Sequence, residues 1–421
     1  MPGNRQHAPV VAVEPWDERA GRVALYSEEF AADPHAAYRA MRSRYGSLVP
    51  VWLAPGVPAT LVIGWHTAVR ILHDDGRFPA DPARWANTAG PSAVYEVMAP
   101  RDNALRTSGP RHLRLRAAIT AAVDAADLFE VEQAVDRAAE NLINEFCTTG
   151  HADLLAAYAF PLTFRVMCDL LGLPAAQARQ AWAEMAAMLD GVAEAGPRFA
   201  DVLYSVVQAK RAEPGADMMS RLITHSEALT DAEVVAQTML LLGPGTEPTA
   251  NLIGNTILLV LTDDRLAGGV HGGALETHDA IDAVLFDDTP LANFCMSYPR
   301  QPLLVDGCWL PADQPVVISM AACNADPAND RAGIDRRGNR SHLSWGAGVH
   351  ACPAQPVARL ISQRAVDQLL DALPDIQLAP GHEPTRRPGP FHRALTGLRV
   401  VFPACPPMNL VMPPMRPKES R

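Results

Sequence analysis

"LSWGAGVHACPAQPVAR", residues 343–359, is the stretch on which the fold turns. Gly346 and Gly348 permit a tight loop with positive φ angles, Cys352 ends that loop, and Pro353 suits the first turn of a following helix. A sulfur placed there meets the unpaired N–H groups of a helix N-terminus, whose dipole favours an anion. The expectation is a lowered thiol pKa and a thiolate prepared for metal ligation. His350, two residues earlier, is placed to donate to a carboxylate at the rim of a large ligand. The other six cysteines (Cys147, Cys168, Cys295, Cys308, Cys323 and Cys405) show no CxxC or zinc spacing, so they indicate neither a disulfide framework nor a structural metal site.

Outward from the loop, the chain reads as mainly α with a small β region. Residues 27–45 carry helical periodicity, with Asp33 and Pro34 starting a helix, Tyr38 and Met41 at helical spacing and Gly46 as its stop. Residues 48–65, "LVPVWLAPGVPATLVIGW", form a predicted hairpin around Pro55 and Gly56. From about 112 to 147 and 152 to 265, apolar residues recur at i, i+3 and i+4 between short Pro/Gly breaks. Short strands follow after roughly 294, then a last helix from about 353 to 373. The predicted organisation is a flexible segment over 1–25, one domain over 26–403 and a proline-rich tail over 404–421.

The 421 residues are 48% hydrophobic and 20% charged, enough for one large or two medium cores. A net charge of −11 argues against a general nucleic-acid or anionic-membrane surface, because binding phosphate needs a positive field. The first 25 residues lack a signal-peptide apolar region, and no segment reads as a transmembrane anchor, so a cytoplasmic location is expected.

The 343–359 loop resembles the haem-binding loop of the cytochrome P450 superfamily, FGxGxHxCxG. Trp345 stands at the Phe position, Gly346, Gly348, His350 and Cys352 match, and Ala354 replaces the last glycine. The resemblance covers nearly the whole chain. It implies the cytochrome P450 fold, with haem b (iron protoporphyrin IX) between a long central helix and the Cys-bearing loop, and Cys352 as the axial thiolate. It also implies that His112 and Arg116 of "HLRLR", one turn apart on a helix, meet the haem propionates.

"GPGTEP", residues 243–248, lies inside the most apolar long helical segment, where two glycines and two prolines should interrupt it. The family's central helix carries A/G-G-x-D/E-T-T, and "PGTEPT" aligns with it without a gap: Gly245 matches the glycine, Glu247 the acid, and Pro248 falls at the first threonine. By resemblance, Gly245 helps open a groove for dioxygen and water, and the acid–alcohol pair relays protons. Pro248 removes the alcohol and builds the kink covalently, leaving Glu247 to work through water, Thr246 or Thr249.

Two further departures stand out. The superfamily's ExxR positions fall on Ala283 and Phe286 of "AIDAVLFDDTP", so both charges of a buried pair are gone together. Where the family sets a strand arginine on a propionate, counting back from Gly307 gives Ser297, which leaves His112, Arg116 and His350; Arg300 reaches the site only if the strand register slips. With the closing "RRPGPFHRAL", these features resemble an atypical actinobacterial subgroup found with small-GTPase-type signalling operons. The implied activity is a haem-thiolate monooxygenase that takes electrons from ferredoxin and ferredoxin reductase and inserts one oxygen atom of O2 into a small lipophilic substrate. Arg331, Arg336, Arg337, Arg340 and Arg359 read as a basic patch for an acidic ferredoxin. The alternative is a haem protein with impaired oxygen activation, acting as a peroxygenase, a redox or ligand sensor, or an auxiliary protein in a signalling complex. Residues 80–100, 185–205 and 240–249 are expected to line the substrate pocket.

Overall fold

The computed structural model describes residues 21–189, 192, 194–263, 277–329 and 340–408. Local chemistry sets the first elements. The Asp33 carboxylate accepts the Ala36 N–H at 2.9 Å, Pro34 takes the first turn, and Gly46 at φ 76° ends helix Pro34–Tyr45. The predicted hairpin forms with Gly56 at φ 76° in its turn.

The strands, in chain order, are β1 (Val23–Ala24), β2 (Leu48–Ala54), β3 (Val57–Val62), β4 (His151–Asp153), β5 (Asn293–Ser297), β6 (Leu303–Val305), β7 (Cys308–Leu310), β8 (Val316–Ser319), β9 (Gln377–Leu378) and β10 (Arg399–Val401). The largest sheet runs β1-β2-β3-β8-β5, with β1–β2 and β3–β8 parallel and the other pairs antiparallel. Neighbours β3 and β8 thus come from opposite sides of the helical middle, and closing the sheet pins that middle in place. Because β1 pairs with β2 and Leu25 is fully buried, the ordered domain starts earlier than the expected residue 26. At the other end, Cys405 N–H donates to Cys147 O at 3.0 Å and Met408 is bonded both ways to the Asn144 side chain, so 405–408 are tied to helix Leu128–Phe146. The remainder of the expected tail and Arg331, Arg336 and Arg337 lie outside the described residues.

Helices Gly109–Asp124, Leu128–Phe146, Phe160–Leu171, Ala195–Ala212, Asp231–Thr262 and Gln355–Ala372 share one large core; the sheet face carries a second with Tyr38, Leu61 and Tyr298. The central helix Asp231–Thr262 starts from a capping box, Thr230 with Glu233, and runs unbroken through Pro244 and Pro248. The expected interruption is therefore absent. The burial pattern gives the reason: 249–257 are buried, whereas Gly243, Gly245, Glu247 and Pro248 are partly exposed and Pro244 is exposed. The carbonyls that lose their N–H partners to proline are those of Leu240, which is partly exposed, and Pro244, which is exposed, so neither residue is fully buried. Among the described residues no helix is long and apolar enough to cross a membrane.

Candidate functional site

The Cys loop closes on its own backbone: Gly346 N–H reaches Leu343 O and Cys352 N–H reaches Trp345 O, both at 2.8 Å. Gly346 and Gly348 both take φ 68°. A Cβ on Gly348 would lie 2.0 Å from Leu72 O, and one on Gly346 would lie 3.3 Å from Cys295 Sγ, so close approach as well as backbone angle excludes side chains here. The helix after the loop begins at Gln355, with Ala354 as its cap. Burial is the largest influence on the Cys352 thiol and raises its pKa; the Ala354 N–H and the Arg116 charge pull the other way without winning. The expected lowering is thus not met by the protein alone. A bound cation would supply the missing drive toward thiolate.

"HLRLR" works on two sides of helix Gly109–Asp124. His112 is buried, with Nδ1 2.9 Å from Ala104 O and Nε2 3.2 Å from Val349 O, and its ring centre lies 4.0 Å from that of His350. Arg116 donates to Ala351 O. Both expected propionate partners thus grip the backbone of the Cys loop, while Arg114, two residues on from His112, pairs with Glu233 at the start of the central helix. His350 lies 3.7 Å from Asp75, but burial and then the neighbouring His112 push its pKa down to about 4, and neither ring nitrogen has a hydrogen-bond partner. Trp345 packs toward Leu252, Ile281 and Leu285 with its Nε1 also unpartnered.

Orphaned nitrogens on a half-buried loop and a cysteine at its end fit a large cofactor bearing acceptor groups and a metal. Haem b has both, and Cys352, His350 and Arg116 would hold it. Ser297 contributes no charge; it is buried with an unpartnered hydroxyl. Arg300 is exposed and pairs with Asp81 at 3.2 Å, so it does not take over.

On the central helix, Glu247 is 24% exposed in its side chain and paired with Arg387, and His392 Nε2 stands 3.9 Å from its other oxygen. Thr246 and Thr249 are buried, and among the described residues neither hydroxyl is hydrogen-bonded to Glu247; that of Thr246 has no partner. Where an acid–alcohol connection is expected, the segment that follows β9 brings an arginine and an imidazole to the carboxylate. Gly245 also stands against a neighbouring helix. A Cβ there would lie 2.9 Å from Met167 Cε of helix Phe160–Leu171, while Pro244 is exposed and Pro248 partly exposed. Arg387 and His392 further line a small cleft shared with Tyr38, Asp288, Arg386 and Arg393. Both lie in the "RRPGPFHRAL" stretch, but nothing in a linear pattern places it beside residue 247.

Beneath the loop, Ala283 and Phe286 are both buried or nearly so, and Phe286 meets the His342 ring edge-on at 5.1 Å. The residue before the first ExxR position, Asp282, is 1% exposed and paired at 2.5 Å with Arg359 of the helix following Cys352. Arg359 is therefore a largely enclosed cation committed to Asp282, with little charge left for a docking patch. Burial, and then Arg359 and Arg340, hold the His342 pKa down to about 4 against the opposing pull of Asp282. Between about pH 6.5 and 4 the unfolded chain binds a proton at His342 that the folded chain refuses, so stability should fall as pH drops through that window. A His342→Leu variant is expected to show a shallower loss in urea titrations at pH 7 and pH 5; an identical pH slope would clear His342 of this role.

No family model matches the chain. Curated relatives do. The chain is 31% identical over 332 residues to Cytochrome P450-SU2 of Streptomyces griseolus, covering 76% of this chain and 81% of that one. It is 29% identical over 389 residues to cytochrome P450 monooxygenase PikC of Streptomyces venezuelae, covering 89% and 92%. Among solved structures, myxobacterial cytochrome P450 CYP267B1 in complex with myristic acid aligns with a TM-score of 0.79 at 25% identity, covering 90% and 98%. CYP154C4 from Streptomyces aligns with a TM-score of 0.81 at 24% identity over 92% and 99%, a likeness of fold alone. These likenesses define a haem-binding oxidoreductase. The chain belongs to the bacterial cytochrome P450 superfamily, binds haem as its members do, and is a haem monooxygenase in general type.

Proposed function

We propose that this P450 inserts one oxygen atom of dioxygen into a small lipophilic substrate in the cytoplasm, with electrons delivered by a ferredoxin and its reductase. The observation that carries it is the pairing of a Cys352 loop closed around Gly346 and Gly348 with a central helix that carries Glu247 and two prolines in a partly exposed stretch at 243–248. Haem, when bound, supplies the oxygen activation. The protein's part is to hold it by Cys352 and to keep the Glu247 carboxylate paired with Arg387, with His392 3.9 Å from its other oxygen. Burial lowers the His392 pKa, with Arg387 pulling the same way and Glu247 opposing, which favours the neutral imidazole.

The reading is tested by supplying NADPH, an acidic ferredoxin and its reductase under ¹⁸O₂ with a library of lipophilic metabolites. Incorporation of a single labelled atom is expected; electron consumption without any labelled product across the library would count against monooxygenation. A Pro248→Thr variant is expected to raise product formed per electron severalfold, because it restores a hydroxyl beside Glu247. An unchanged ratio would show that the missing alcohol is not limiting.

A further inference from the structure

Resting on the haem reading above, we infer that Arg106 is the cation that replaces the missing strand arginine and binds a haem carboxylate. Arg106 is 4% exposed, yet among the described residues it forms no ion pair. One guanidinium nitrogen donates to Val97 O at 2.5 Å, and the group lies 5.5 Å from the Phe294 ring centre. A buried guanidinium with a single carbonyl acceptor is costly, and its pKa is depressed chiefly by burial and further by Arg101.

Its placement is built, not incidental. The Asn103 side chain accepts the Leu105 and Arg106 N–H groups at 3.1 Å, the Thr107 hydroxyl donates to Asn103 O at 2.8 Å, and Ala104 N–H donates to Gln237 of the central helix at 3.1 Å. Ala104 O in turn contacts His112. This turn holds Arg106 over β5, the strand that carries Ser297. The β5–β8 register is irregular between Asn293 and Met296, and Cys295 within that interval stands against Gly346 of the Cys loop. The side-chain charge missing from position 297 is thus present beside the same strand, arriving from the opposite direction of the chain. A carboxylate of the cofactor would complete a bidentate pair with it.

The inference makes two quantities move in opposite directions. Arg106→Met removes a stranded cation from the cofactor-free protein and a ligand from the haem-loaded one. Haem transfer from the holoprotein to excess apomyoglobin should quicken at least tenfold, while the melting temperature of the cofactor-free chain should hold or rise. Haem loss within twofold of the parent overturns the inference. So does faster loss together with a lower melting temperature of the cofactor-free chain, which would make Arg106 a folding residue. Two controls isolate the carboxylate: Arg106→Met/Ser297→Arg should restore slow loss, and with haemin dimethyl ester the parent and Arg106→Met should release the cofactor at the same rate. A tenfold difference persisting with the ester would refute the pairing. If the parent chain gives no Soret band with haemin, the haem reading itself fails, an outcome separate from these.

Discussion

Cys352→Ala is expected to abolish the red-shifted Soret band that carbon monoxide produces with the reduced protein, since that shift reports a thiolate bound to the iron. The substitution removes the only cysteine in the loop that Gly346 and Gly348 keep bare. Cys295, on β5, is the obvious substitute, but it sits half-buried against Gly346 and desolvation pushes its thiol up to about 11. Cys295→Ser should therefore retain the band. A band that survived in Cys352→Ala and vanished in Cys295→Ser would move the ligand to the strand and dismantle the assignment of the site.

The second large effect concerns the pair below the loop. Asp282→Asn should destabilise the chain by roughly 3–5 kcal/mol, the usual cost of breaking one side of a buried ion pair, because Arg359 is then left enclosed without a counter-charge. Pairwise apolar replacement, Asp282→Leu with Arg359→Met, should recover most of the loss. The check is the urea midpoint of each cofactor-free variant. If Asp282→Asn shifts the midpoint no more than a surface substitution does, the 2.5 Å contact is not holding the helix after Cys352 to helix Thr277–Asp287. The pair also bears on how this chain manages without ExxR. Neither Ala283 nor Phe286 can form an ion pair, but a neighbouring residue does, with a different partner, and Phe286 packs against His342 in the space beside it.

Much of this was legible beforehand. Helix limits such as Asp33, Pro34 and Gly46, the hairpin at Pro55–Gly56, and the loop ending at Cys352 follow from backbone sterics and hydrogen-bond capping, which act over a few residues and so leave a local pattern. The resemblance of residues 343–359 to one superfamily is equally local, and the relatives bear it out.

What proved illegible shares one property: it depends on which distant segment stands opposite. Gly245 is turned to Met167, Glu247 to Arg387, Arg359 to Asp282, and Arg106 to β5, and in each case the partner lies far off in sequence. Even the pKa of Cys352 reversed, because enclosure by remote residues outweighed the nearby helix-end amides. The sequence by itself determined the cysteine loop, the helical frame and the loss of the relay alcohol, since these are written in residue type and short spacing. Only the tertiary structure decided where the charges go, because Coulomb and desolvation energies depend on distance and burial in space, and the order of residues along the chain fixes neither.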